Sequence, residues 1–266
     1  MGLSATFDDL IGEGASVPTE GWDFSWFDGR ATEARPSWGY AKLLADRMTR
    51  ASAVLDVQTG GGEVLAQALE QTERSPVRVA ATESWPPNLE IARRTLNRFG
   101  ASVFEAPDNA DLPFSAHSFD LVVSRHPVVT IWPEIARVLQ PDGTYLSQQV
   151  GAGSNRELID FMMGPQAVGE SRSPQRALKE AEAAGLAVVD LRQESLRVVF
   201  NDVGAVVYFL RKVVWTVPGF TVDGYRDRLL SLHEKIQREG PFVAHAERFL
   251  IEASKRRVDG PKGHRA

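Results

Sequence analysis

"VLDVQTGGGEVLAQAL", Val54 to Leu69, sets an apolar run against three consecutive glycines and then a stretch with helical spacing. Val54 and Leu55 suit a buried strand. Val64, Leu65, Ala68 and Leu69 recur at the interval that puts side chains on one helix face. Glycines at such a junction let the backbone approach a ligand closely, and the helix start beyond them presents unbonded N–H groups. Two phosphate loops are excluded. A P-loop needs Lys then Ser/Thr after the glycines, whereas Gly62 is followed by Glu63 and Val64. The GxGxxG fingerprint fits "QTGGGEVL" in no register, and an acid directly after the last glycine repels phosphate. A ligand carrying a small carboxylate and an amine suits the turn better.

Outward from this turn, strands and helices alternate. "AVLDV" (Ala53–Val57), "VRVAATE" (Val77–Glu83), "SVFEA", "FDLVVS" (Phe119–Ser124) and "TYLSQQV" read as strands. Between them, "EVLAQALEQ" and "PPNLEIARRTLNRFG" read as helices, the second starting on prolines and stopping at Gly100, and "IWPEIARVLQPDG" as a helix and a turn. Short apolar strands alternating with helices predict a parallel sheet with helices on both faces. Past Val150 the rhythm changes. Helices are expected from "SNRE" to Met163 and over "SPQRALKEAEAAG". "LAVVDLRQESLRVVF" reads as one long or broken strand, residues 202–240 as two helical pieces split at "VPGF", and "RFLIEAS" as a last strand. Helices before the final strand predict a cap over one end of the sheet. Residues 1–40 read as irregular and form a candidate N-terminal lid, with a dense aromatic patch containing Trp22, Phe24, Trp26, Phe27, Trp38 and Tyr40. The expected organisation is this lid, a domain over 41–254, and a basic tail over 255–266 read as disordered.

Composition narrows the chemistry. The 266 residues are 43% apolar and 24% charged with a formal net charge of −5, which weighs against a nucleic-acid-binding surface. The basic tail is the one feature that favours such a partner. Cysteine is absent, so thiolate metal sites, iron–sulfur clusters and cysteine nucleophiles are excluded. None of the five histidines falls in a paired metal-ligand spacing, and no metal is expected. No apolar run could span a bilayer, and the first residues lack a secretion-signal pattern, so a cytoplasmic protein is expected.

The motifs taken together resemble those of class I S-adenosylmethionine-dependent methyltransferases. Asp56 to Gly62, "DVQTGGG", is similar to that family's acidic-x-Gly-x-Gly-x-Gly turn, with Gly60 and Gly62 in the second and third glycine positions. Gln58 stands where the first glycine usually is. "AATES" places Glu83 at the end of the second strand, followed by Ser84. "DNADLPFSAHSFDLVVS" resembles the D-A-x-x-L-P-F…S-F-D-x-V stretch, and "EIARVLQPDGTYL" the E-x-x-R-V-L-x-P-G-G segment, with Asp142 for a glycine. The four motifs cover roughly residues 50–150 in the family's order.

The resemblance implies a Rossmann-like, doubly wound α/β fold: a mostly parallel seven-stranded sheet with a helical cap inserted before the last strand. It implies S-adenosylmethionine as cofactor and S-adenosylhomocysteine as its product. Asp56, Gln58, Thr59, Gly60, Gly62, Glu83, Ser84, Asp108, Asn109 and Ser124 are the candidate cofactor contacts. Glu83 would hold the ribose hydroxyls, while Asp108 and Asn109 would face the adenine. His126, after the fourth strand, is a candidate base or substrate-orienting residue. Trp22, Trp26, Arg125, Tyr208 and Trp215 are candidate substrate contacts. The expected reaction is in-line methyl transfer to oxygen, nitrogen or carbon of a small organic molecule, by a monomer or homodimer. An RNA or protein methyltransferase and a non-catalytic S-adenosylmethionine-binding protein are the alternatives.

Overall fold

The computed structural model describes residues 6–19 and 24–256. Its elements begin with α1 (Phe7–Ser16), β1 (Ala31–Glu33), α2 (Tyr40–Met48), β2 (Ala53–Asp56), α3 (Glu63–Gln71) and β3 (Arg78–Glu83). They continue with α4 (Pro86–Asn97), β4 (Ser102–Glu105), β5 (Phe119–Arg125), α5 (Trp132–Val138) and β6 (Leu139–Val150). The remainder is α6 (Arg156–Met163), α7 (Pro174–Ala183), β7 (Leu186–Phe200), α8 (Val203–Lys212), α9 (Arg226–Glu239) and β8 (Phe242–Lys255).

The strands lie in the order β1-β7-β8-β6-β5-β2-β3-β4. β2 pairs in parallel with β3 on one side and β5 on the other. The chain therefore runs outward through β3 and β4, then returns across β2 to β5 and β6. That reversal beside β2 is a topological switch point, where the loops leaving the strands' carboxyl ends diverge and leave a crevice.

Several expectations are corrected. The sheet has eight strands rather than seven, and it is mixed, because β1 pairs antiparallel with β7. β1 and α1 lie in the segment read as irregular. α1 starts on a capping box: Thr6 Oγ1 accepts Asp9 N–H at 3.2 Å, and Asp9 Oδ2 accepts Thr6 N–H at 3.1 Å. Pro141-Asp142-Gly143, read as the turn before a strand, lies inside β6, where the register with β5 shifts. Asp142 there has φ +64°, the left-handed backbone the family's glycine would adopt without strain.

By contacts the chain divides into two compact units. Among the described residues the first comprises 6–19, 24–36, 151–170 and 194–248. Its core gathers α1, α6, α8 and α9 around Leu10, Val206, Leu229 and Phe242. α1 and α8 approach through a glycine pair: a Cβ on Gly14 would sit 2.3 Å from Gly204 O, and one on Gly204 2.5 Å from Leu10 O.

Among the described residues the second unit comprises 37–150, 171–193 and 249–256. Successive strand residues there face opposite layers. Val54, Leu121, Val123 and Leu146 pack with Leu44, Met48, Leu65 and Leu96 of α2, α3 and α4. Leu55, Val122 and Tyr145 pack with Ile135, Ala177 and Ala181 of α5 and α7. Helices thus cover both faces of this part of the sheet, as the alternation predicts. Trp38 and Tyr40 of the aromatic patch are buried in this core. Trp22 and residues 257–266 of the basic tail lie outside the described residues.

Candidate functional site

The glycine turn leaves β2 at Asp56 and enters α3 at Glu63. Gln58, Gly60 and Gly62 all have positive φ, +59°, +65° and +81°. At Gly62 a side chain is excluded twice, by this backbone and by Leu96, whose Cγ would lie 2.9 Å from an added Cβ. Thr82, at the penultimate position of β3, fastens the turn: its carbonyl accepts Thr59 N–H at 2.9 Å and its hydroxyl accepts Gln58 N–H at 3.2 Å.

Two buried carboxyls flank the turn. Asp56 is 7% exposed and accepts a hydrogen bond from Thr59 Oγ1 at 2.6 Å. Burial pushes its pKa up to about 7; the Thr59 bond and Arg125 oppose the rise, and the charge of Glu83 adds to it. Glu83 Oε2 accepts Gly60 N–H at 2.8 Å, while its Oε1 accepts the N–H groups of Ser84 and Trp85 at 3.1 and 2.9 Å. Burial raises Glu83 too, with Asp108 adding to the rise and the three N–H bonds opposing it. A carboxylate has about four lone-pair positions, so Glu83 keeps capacity for a further donor such as a sugar hydroxyl.

The Gln58 side chain turns away from the glycines. Its Nε2 donates to Val129 O at 2.7 Å and its Oε1 accepts Val128 N–H at 2.6 Å. This pairing of one amide with the main chain pins the loop after β5 to the glycine turn. Beside it, an open cleft of about 450 Å³ is lined by Ser84, Glu105, Pro107, Asp108, Asn109, Val128 and Val129. Asp108 and Asn109 reach it from the loop after β4. That loop is held by α5: Glu134 Oε2 accepts Leu112 N–H at 2.7 Å, and Arg137 donates to Phe114 O and Leu112 O at 2.7 and 3.0 Å.

His126 has φ +55° and is partly buried. Its N–H donates to Gln148 O at 2.7 Å, and its Nε2 lies 2.9 Å from Gln148 Nε2. Gln148 Oε1 accepts Trp38 Nε1–H at 2.8 Å. Ser124 is 1% exposed; its hydroxyl bonds to those of Tyr145 and Ser147, and its carbonyl accepts Tyr40 O–H at 2.9 Å. Arg125 is exposed at the end of β5.

The second unit therefore holds Asp56, Gln58, Thr59, Gly60, Gly62, Glu83, Ser84, Asp108, Asn109, Ser124, Arg125 and His126 on the loops and strand ends beside β2. Trp26, Tyr208 and Trp215 belong to the first unit, where the Trp26 and Tyr208 rings meet edge to face at 5.1 Å and Trp215 is 50% exposed. Thr82, Gln148, Glu134 and Arg137 were not singled out from sequence as site residues, and Trp38 was read only as part of the lid's aromatic patch. Among the described residues no three His, Asp or Glu side chains cluster as metal ligands, and no helix is long and apolar enough to cross a membrane.

Residues 55–147 match the family described as a methyltransferase domain. This segment belongs to that family. The match contains all four motifs on which the sequence resemblance rests, and it implies the use of S-adenosylmethionine. No curated protein matches the chain. Among solved structures, a Bacillus halodurans C-125 protein assigned as a methyltransferase superposes with a TM-score of 0.56 at 19% identity, covering 80% of this chain and 99% of its own. The YcgJ protein of Bacillus subtilis gives 0.55 at 19%, covering 81% and 99%. Geranyl diphosphate C-methyltransferase of Streptomyces coelicolor A3(2), solved with Mg2+, geranyl diphosphate and S-adenosyl-L-homocysteine, gives 0.51 at 14%, covering 82% and 79%. These likenesses establish the fold.

The residues present fit the implied cofactor. Asp56 and Glu83 at the glycine turn are both raised by burial, and Asp108 borders the neighbouring cleft, so a cation bound beside them would favour their ionised forms. A sulfonium amino acid with its ammonium group supplies that cation.

Proposed function

We propose that this chain is an S-adenosylmethionine-dependent methyltransferase whose acceptor is a small organic molecule. The observation that carries the reading is the pair of buried carboxyls on the glycine turn, with Glu83 bonded to Gly60 N–H and Asp56 to Thr59. Bound there, S-adenosylmethionine supplies a methyl group already activated on sulfur. The protein's own share is to hold the acceptor in line and to exclude water. Glu83 offers its remaining lone pair to the ribose, and Asp108 and Asn109 border the cleft for the base. Gln58 contributes through its backbone, its amide being engaged by Val128 and Val129. His126 orients the acceptor. Trp26, Tyr208 and Trp215 enter as acceptor contacts by the sequence argument alone.

An acidic chain and a cleft bordered by carboxyls favour a small acceptor over RNA. Titration calorimetry with S-adenosylmethionine and S-adenosylhomocysteine, followed by labelled-methyl transfer to a panel of small acids, amines and phenols, tests the reading. Heat with both compounds and transfer to one acceptor class is expected. Absence of heat with either compound overturns it.

A further inference from the structure

We propose that Trp38 and Gln148 are positioning residues that hold His126 as the neutral tautomer protonated at Nδ1, so that His126 serves as a hydrogen-bond donor and not as the base. The argument starts from Trp38, whose indole N–H can only donate. Its partner on Gln148, 2.8 Å away, must therefore be the amide oxygen. That assignment leaves the amide NH2 at the other position, 2.9 Å from His126 Nε2. An amide NH2 only donates, so Nε2 must accept with its lone pair, and the ring proton resides on Nδ1.

The two competing states each break a bond in a buried setting. Moving the proton to Nε2, or adding one there, sets N–H against N–H. Turning the Gln148 amide to relieve this sets its NH2 against the indole N–H instead. Gln148 and Trp38 are 3% and 7% exposed, so water cannot readily replace the lost partner. Gln148 has little freedom to swing away, because its carbonyl also accepts His126 N–H at 2.7 Å and its Cα is in register with Arg125. The left-handed backbone at His126 is part of the same arrangement: φ +55° is uncommon for a non-glycine residue, and here the strand-end contacts hold it.

This extends the methyl-transfer reading and rests on it only for what His126 meets. A ring fixed in this state offers N–H to a lone pair and takes no proton on Nε2. The acceptor class it suits carries more than one exposed lone pair, as a carboxylate does, one to accept the ring N–H and another to attack the methyl carbon; an amine has a single lone pair, and a hydroxyl acceptor would have to lose its proton elsewhere. In transfer to a carboxylate, an oxygen lone pair forms the bond to the methyl carbon, the sulfur keeps the electron pair of the bond that breaks, and no proton is released.

The test is the 15N resonances of the His126 ring at neutral pH, assigned by their loss in His126→Gln and recorded without cofactor. Wild type should show Nδ1–H in about tenfold excess, the population ratio one buried hydrogen bond sustains. Trp38→Phe frees the amide to turn, and the excess should collapse toward the Nε2–H form that an unconstrained imidazole prefers. Gln148→Glu places an acceptor against Nε2 and should invert the ratio; Trp38→Phe decides the matter if that variant does not fold. Nε2–H in wild type, or an unchanged ratio in Trp38→Phe, overturns the proposal. Neither result bears on cofactor binding, so this proposal and the methyl-transfer reading fail separately.

Discussion

Glu83 reaches back over the glycine turn to accept the Gly60 N–H at 2.8 Å, joining the end of β3 to the loop after β2. The residue that would hold a ribose thus also sets the shape of the turn that would hold the amino-acid end. Loss of Glu83 should therefore damage both functions together. For Glu83→Ala, the three N–H groups lose a charged acceptor, at roughly 2–4 kcal/mol of stability. S-adenosylhomocysteine affinity should fall at least about tenfold, measured by calorimetry alongside thermal melts.

Asp56 predicts an unusual dependence of stability on pH. Its folded-state pKa of about 7 lies above the ordinary 3.8, so the folded chain keeps a proton that the unfolded chain releases. The sign follows directly: this contribution is fully present below about pH 4 and is lost as pH rises toward 7 and through it. The loss amounts to at most about 4 kcal/mol for a shift of this size. Asp56→Asn, which keeps an acceptor for Thr59, should be more stable than wild type above pH 7 and should flatten this slope. Melting temperatures from pH 4 to 8 would show it, and parallel curves would contradict it.

Gln58→Gly sets two opposing effects against each other. Glycine relieves a left-handed backbone at about 1–2 kcal/mol, while two hydrogen bonds of about 1 kcal/mol each disappear. Overall stability should change by less than about 1 kcal/mol. The Val128 amide, which donates to Gln58 Oε1, should exchange with solvent at least about fivefold faster. Unchanged protection at Val128 would show that the side chain does not hold this loop.

Glu134→Ala should loosen the loop that carries Asp108 without touching the cleft itself. Leu112 N–H loses its acceptor and Arg137 its carboxylate partner, at about 2–3 kcal/mol. Faster amide exchange across residues 107–114, with α3 unaffected, is the expected pattern.

Much of the second unit could be read from periodicity, because β2, β3 and β5 are largely buried and α4, α5 and α7 carry proline in their first turn. "EVLAQALEQ" coincides with α3, residue for residue. β1 escaped notice for a physical reason: three residues, Ala31–Glu33, carry no alternation, and only the pairing with β7 makes them a strand. Pro141-Asp142-Gly143 has the chemistry of a turn, and the chain uses it as an irregularity within β6. At the site, the glycines and acids were visible as a pattern. The partner of Gln58 lies some 70 residues away, and that of Trp38 some 110, so no local spacing could disclose either.

Both outermost strands, β1 and β4, are brief, at three and four residues. An unpaired strand border is where chains of one protein can template one another into aggregates, and its reach grows with its length. Borders this short give a neighbouring molecule little to zip onto, which favours clean refolding from denaturant at the concentrations that spectroscopy requires.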